Sequence, residues 1–144
     1  PVHGTAVPTI GFGSTGGVKM GDKTTPVRAL VRLRGDAREA EIALKRCLPQ
    51  VPMHPWEWDA VVALAHNAGV TTVCKNNART GPSTLATRLA AQDYPAMCAA
   101  ILLYDRAGPV NKPSDRCSHP DNRTCRGVWA DRKALYAMCM GERP

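Results

Sequence analysis

The chain has 144 residues, a hydrophobic share of 44% and a formal net charge of +7, enough apolar material for the core of one domain. No apolar run approaches the roughly 18 residues of a membrane-spanning helix, so no span is expected in this chain. Aromatic residues are few, three Trp, three Tyr and one Phe, which leaves Ala, Val, Leu, Ile and Met to build the core and favours helix packing over a β-sandwich.

Residues 1–25 read as strands and turns. Gly4, Gly11, Gly13, Gly16, Gly17 and Gly21 punctuate a stretch whose strand formers are Val7, Thr9, Ile10, Phe12 and Val18. A first helix starts at Thr25-Pro26, a good N-cap followed by a good first helical residue. Leu30, Leu33, Ala37, Ala40, Leu44 and Cys47 or Leu48 form its apolar stripe, Gly35 weakens its middle, and Pro49 and Pro52 end it. A second helix starts near Pro55, carries Trp58, Val61, Val62, Ala65 and Ala68 close to one face, and stops at Gly69. Residues 70–81 read as polar and irregular. A third helix covers about Pro82 to Ala91, and a fourth begins near Pro95 with Met97, Cys98, Ile101 and Leu102. Residues 107–127 are rich in Pro, Gly, Asp, Asn, Ser and Arg and read as a long loop. A last helix covers roughly 128–140 with Val128, Leu135, Met138 and Cys139 facing inward. The order is a small β region followed by five helices, so the class is α+β with a dominant helical part.

Six cysteines, Cys47, Cys74, Cys98, Cys117, Cys125 and Cys139, suggest disulfides and an oxidising destination. Six cysteines allow fifteen connectivities, and six buried free thiols in a reducing compartment are the alternative. Placement on the expected elements points to Cys117–Cys125 closing the loop, Cys98–Cys139 joining two late helices and Cys47–Cys74 flanking the second helix. No CxxC pair is present and the four His are scattered, so no metal site is expected. The basic balance favours polyanions such as nucleic acid, anionic lipid or bacterial wall polymers, without choosing among them. Nucleic acid is the weakest of these, because the arginines are spread along the chain and no recognised motif is present.

The stretch Pro8-Thr9-Ile10-Gly11-Phe12-Gly13-Ser14-Thr15-Gly16-Gly17-Val18-Lys19-Met20-Gly21-Asp22, followed by Thr24-Thr25-Pro26, is the most specific in the chain. It resembles the signature of the phage lysozymes, the T4-like glycoside hydrolases. Further segments match in the same order: Arg46-Cys47; Asp59 to Gly69, similar to an Asp-Ala-Leu-Val-Ser-Phe-Ala-Phe-Asn-x-Gly helix; Ser83-Thr84-Leu85; Asp93-Tyr94; Tyr104-Asp105-Arg106-Ala107-Gly108; and Gly127-Val128-Trp129 with Arg132. The resemblance implies one lysozyme-like domain over residues 1–144, with a β region at 1–25 and a helical lobe at 26–144 whose 107–127 loop is closed by a disulfide. It also implies hydrolysis of the β-1,4 bond between N-acetylmuramic acid and N-acetylglucosamine in peptidoglycan. No cofactor is implied. The implied partners are the glycan strands alone, with no nucleic acid and a monomeric protein. The implied setting is a phage-encoded enzyme exported from the host cytoplasm to the periplasm and cell wall.

Glycosidic cleavage needs a protonated acid at the leaving oxygen and a carboxylate across the bond. The family pattern is Glu, eight residues, Asp or Cys, five residues, Thr. Thr9 matches the Thr, the residue that helps hold the attacking water; read without the resemblance it is only a strand former. The count back from Thr9 lands on His3, and Ser14 stands where the family usually has His. The acid and its partner are therefore expected before Pro1, a residue that itself reads as a trimmed start. The alternative function is a catalytically incomplete, lysozyme-like domain that binds peptidoglycan. Asp22 fits a turn, and Asp36 and Glu39 a solvated helix face, so none of the three is expected to serve as the acid.

The resemblance also nominates substrate-binding residues. His66 and Asn67 end the second helix toward the sugar cleft, although nearby carbonyls alone could satisfy His66. Arg132 resembles an Arg of the last helix that approaches the catalytic Glu and tunes its pKa. Trp56, Trp58 and Trp129 are expected in the core rather than stacked on sugars. The triplet Asn122-Arg123-Thr124 is formally a glycosylation acceptor, read here as chance.

Overall fold

A computed structural model describes residues 26–75 and 81–142. The β region expected at residues 1–25, Thr9 included, lies outside the described residues. Within them the order is six α-helices, with two short 3-10 turns after the fifth.

Helix α1 spans Pro26–Cys47 without interruption at Gly35. Lys45 and Arg46 lie in its last turn, the favourable end of a helix for cations. Ala40, Leu44 and Leu48 are buried at four-residue spacing, the period that keeps one face on the core. Pro49 has no N–H to continue the ladder, and the chain turns to α2, Pro55–Ala68. The start of α2 is tied down by Glu57, itself buried, whose carboxylate accepts the backbone N–H of His54 at 2.7 Å. Gly69 ends α2 at φ +94°, a conformation open to glycine at little cost, and its N–H donates to the Ala65 carbonyl at 2.9 Å.

The chain re-enters a helix at once. Helix α3, Val70–Cys74, occupies part of the stretch read from sequence as irregular. Val-Thr-Thr-Val has weak helix propensity, but burial of Val73 and Cys74 outweighs it. The Thr72 hydroxyl donates to the carbonyl of Ala68 at 2.7 Å. Lys75 then bridges to Pro82, and the Ser83 N–H donates to the Cys74 carbonyl at 3.0 Å, so the two sides of 76–80 meet.

Helix α4, Thr84–Ala90, is capped by Ser83, whose hydroxyl accepts from Ala86 N–H at 3.0 Å. Helix α5, Tyr94–Ala100, is capped by Asp93, which accepts from Ala96 N–H at 3.2 Å. A 3-10 turn at Ile101–Leu103 leads into the long loop, and helix α6 covers Arg126–Cys139. Three of its residues are buried: Arg132, Leu135 and Cys139. Met138, expected inside, is 39% exposed because it sits about 90° round the helix from the centre of that stripe.

Helix α2 packs against α1, α3 and α6, and α4 packs against α5. The core contains the fully buried Leu44, Leu64, Leu85, Leu89, Met97 and Ile101. The six cysteines stand in three pairs: Cys47 with Cys74, Cys98 with Cys139, and Cys117 with Cys125. Their Cα separations of 5.9, 5.6 and 5.1 Å suit disulfides. Cys47–Cys74 ties α1 to α3, Cys98–Cys139 ties α5 to α6, and Cys117–Cys125 closes the loop before α6.

Candidate functional site

A cleft of about 550 Å³ is walled by the end of α2, by α3, by the start of α4, by the turn after α5 and by α6. Asn67 contributes from α2, Thr72 and Lys75 from α3 and its end, Ser83 and Thr84 from α4, and Leu103 and Tyr104 from the turn. Arg106 and Arg116 contribute from the loop, and Val128 and Arg132 from α6.

Arg132 is 3% exposed, so its charge needs partners. It has three. Nε donates to the Tyr104 carbonyl at 2.8 Å, Nη1 to the Asp131 carboxylate at 2.6 Å and Nη2 to Oδ1 of Asn67 at 2.7 Å. The last bond sets the Asn67 amide. Its oxygen is turned to the guanidinium, so its NH2 end stands on the other side as a donor. Asn67 is otherwise exposed on the cleft wall.

The floor is a hydrogen-bonded seam between α3, α4 and the turn. The Tyr104 phenol donates to the Thr72 carbonyl at 2.8 Å. Burial raises the pKa of that phenol, and a hydrogen bond with Ser83 opposes the rise. Ser83 is buried and its hydroxyl also bonds the Val73 carbonyl. The outer wall is pinned by Asp105, which is 5% exposed. Its carboxylate accepts from Arg116 Nη1 at 2.8 Å and from the Ser118 hydroxyl, while its carbonyl accepts from Cys117 N–H at 2.6 Å.

Beyond that wall, the loop is organised by Asn122, also buried. Its Oδ1 accepts from Thr124 N–H and hydroxyl and from Cys125 N–H, and its Nδ2 donates to the Ser114 carbonyl at 3.1 Å. Asp115 accepts two backbone N–H bonds, from Asn111 at 2.9 Å and Lys112 at 3.0 Å. The Asn111 bond is the main cause that holds its carboxyl below the usual carboxylate range.

Of the residues nominated from sequence, Asn67 and Arg132 meet on the cleft wall. His66 is half-buried one position earlier on α2 and is not among the lining residues. Trp58 packs against the core and donates to Glu41 at 3.0 Å, whereas Trp56 is 43% exposed and stacks on His54 away from the cleft lining. Sequence reasoning passed over Lys75, Ser83, Tyr104 and Arg116. Tyr104 and Ser83 lay in segments that carried the family resemblance, but nothing in the residues alone gave them a role. Among the described residues, no carboxylate lines the cleft, and no group of three His, Cys, Asp or Glu is placed to hold a metal.

The family model for phage lysozyme matches residues 2–114, a span that runs through α1 to α5 and most of the cleft wall. This chain belongs to the phage lysozyme family. A sequence search of the curated proteins finds no significant match. Solved structures of similar fold include the endolysin from Escherichia coli O157:H7 phage FAHEc1, at TM-score 0.70 and 23% identity, covering 96% of this chain and 80% of that one. The active form of the P1 phage endolysin Lyz is similar at TM-score 0.68 and 17% identity, covering 92% of this chain and 70% of that one. Its secreted inactive form gives TM-score 0.59 at 16% identity, covering 90% and 77%. The helices described here are thus those of a lysozyme-like fold.

Proposed function

We propose that this protein is a muramidase that hydrolyses the β-1,4 N-acetylmuramic acid–N-acetylglucosamine bond of peptidoglycan, acting as a monomeric phage endolysin. Its place of action is the bacterial cell wall, reached from the host cytoplasm. The observation that carries this reading is the family match over residues 2–114, because it covers the signature stretch around Thr9 together with most of the elements that wall the cleft.

The division of labour follows from the chemistry. Cleavage needs an acid at the leaving oxygen and a carboxylate across the scissile bond. The described cleft offers neither, but it offers neutral donors and acceptors suited to sugar hydroxyls and acetamido groups: the Asn67 amide, the Thr72 and Thr84 hydroxyls and the Tyr104 ring. The helical lobe therefore binds and orients the glycan. Thr9 holds the attacking water through its hydroxyl, and Asn67 lies along the glycan, while His66, outside the cleft lining, has no direct contact in this reading. Arg132 acts through Asn67, whose amide it orients at 2.7 Å.

The test is digestion of purified sacculi by the full natural chain, with mass analysis of the released muropeptides. Products with reducing-end N-acetylmuramic acid are expected. Thr9→Val keeps the side-chain shape without the hydroxyl, and should lower kcat on the order of a hundredfold with KM little changed. Binding to sacculi without any soluble muropeptide would reject the enzyme and leave a wall-binding domain.

A further inference from the structure

The start of α2 carries an aromatic surface that the cleft does not use. Trp56, expected in the core, is 43% exposed, and its ring stacks on His54 with centroids 4.3 Å apart and planes 10° from parallel. His54, Pro55 and Trp56 are exposed in succession. Trp56 and the cleft residue Asn67 stand at opposite ends of α2, about 16 Å apart along the helix axis.

The stack is held from two sides. The buried carboxylate of Glu57 accepts the His54 N–H at 2.7 Å and so fixes the backbone that carries the imidazole. The five-membered ring of Trp56 lies against the end of α6, where Gly141 turns at φ +80° and a Cβ would stand 3.3 Å from Nε1. Met140, the preceding residue, is 41% exposed. One exposed apolar side chain is ordinary on a protein surface. A large ring already fixed by its neighbours is different, because it can bind with little further loss of freedom.

Charge selects the kind of ligand. The chain has 19 Lys and Arg, yet none lies between Arg46 and Lys75, a stretch that does contain Glu57 and Asp59. Anionic lipid or polyphosphate calls for cations at the contact, and α2 supplies none. Two rings and a methionine also fall far short of the roughly 20–30 residues a side of a stable protein interface. A neutral ligand with a flat apolar face suits the surface. A pyranose has such a face in its C–H groups, which lie on an aromatic ring while the hydroxyls stay in water.

We propose that the His54–Trp56 stack is a second glycan-binding site, which holds a sugar ring of the peptidoglycan polymer outside the cleft. The proposal rests on the muramidase reading for the identity of the polymer. A repeating glycan offers many rings at once, so a second contact raises the effective concentration of polymer at the cleft without touching the bond that is cleaved.

The experiment uses the full natural chain, with co-sedimentation on sacculi and on amidase-stripped glycan strands and initial rates on sacculi. Trp56→Ala should raise Kd for both materials on the order of threefold to tenfold, the range of one aromatic contact. KM on sacculi should rise by a similar factor with kcat unchanged, because the lost contact is the same in ground and transition states. His54→Ala removes the other ring and should give a smaller loss in the same direction. Trp56→Tyr keeps an aromatic face and should keep most of the binding. Ile42→Ala removes an apolar side chain that is 49% exposed on α1 and should bind as wild type. Wild-type affinity in both Trp56→Ala and His54→Ala overturns the proposal. So does a loss seen on sacculi but absent on stripped strands, which would put peptide on the stack, or a loss that falls on kcat. Trp56-dependent self-association, or Trp56-dependent binding to phosphatidylcholine vesicles as tight as to strands, overturns it in favour of a second copy or a lipid surface. If the wild type releases nothing from sacculi, the muramidase reading fails on its own, and the Kd ratio on stripped strands still decides the stack.

Discussion

The Asn67 side chain is asked to do two things at once, and one substitution separates them. Its oxygen holds the buried Arg132 at 2.7 Å, while its NH2 group is presented on the cleft wall. Asn67→Asp keeps the shape and the oxygen but replaces the donor with a second acceptor. Stability should rise slightly or stay level. The new carboxylate faces a guanidinium, but it is exposed to water, so the gain is about 0–1 kcal/mol. Activity should fall. Losing one ligand hydrogen bond costs about 0.5–1.5 kcal/mol, and setting an acceptor against an acceptor adds to it. The sum is about 1.5–2.5 kcal/mol, or roughly tenfold to seventyfold in kcat/KM. The assay is initial dye-release rates on sacculi, paired with denaturant unfolding at the same pH. Wild-type kcat/KM in Asn67→Asp would refute the reasoning, since the amide would then only support Arg132. Arg132→Met gives the opposite pattern: it leaves Asn67 Oδ1 and the Tyr104 carbonyl without that donor and should cost about 2–4 kcal/mol of folding stability.

Gly35 lies inside α1 with no described atom within 4 Å of where a Cβ would go, so Gly35→Ala should stabilise by about 0.5–1 kcal/mol in a denaturant titration. Replacing both Cys98 and Cys139 with Ala opens a 41-residue separation between α5 and α6, and should cost about 4 kcal/mol by chain entropy, read as a lower unfolding midpoint. The Asp115 carboxyl is held below its ordinary range by the Asn111 and Lys112 amides, so it favours the folded loop above the ordinary carboxylate pKa. That contribution is lost as pH falls through the lowered value. Protection of the Asn111 and Lys112 amides, taken relative to their intrinsic exchange rates, should therefore fall in acid, and Asp115→Asn should remove that pH dependence.

Helix starts and stops were legible wherever a residue has a mechanical reason to sit there. Pro26 and Pro55 open helices, Gly69 closes one at positive φ, and Leu85 and Leu89 mark a buried face by spacing alone. The cysteine pairing followed from which elements carry each residue. Helix α3 was hidden because β-branched residues disfavour a helix in isolation, and only packing against α1, α2 and α4 stabilises it. Arg132 stood out in the sequence by resemblance, but nothing there marked it as buried, since a charge in an inward stripe looks like a break in the pattern. Its partners, the Tyr104 carbonyl and the Asn67 amide, are 28 and 65 residues away in sequence. The electrostatic sign of the cleft was invisible for the same reason: it depends on which carboxylates stand behind their arginines, and that is set by tertiary structure.

The Asn122 amide carries a consequence for how the protein can be made. Asn122-Arg123-Thr124 has the form that glycosylating cells modify, and they modify it while the chain is still unfolded. In the folded loop that nitrogen donates to the Ser114 carbonyl, and the residue is 9% exposed, which leaves no room for a sugar. A glycan added in a eukaryotic secretory host would therefore arrive before the loop can protect its own keystone, and the cysteines on either side would be held from closing around it. Bacterial export gives the oxidising conditions that the three cysteine pairs need, without that competing modification.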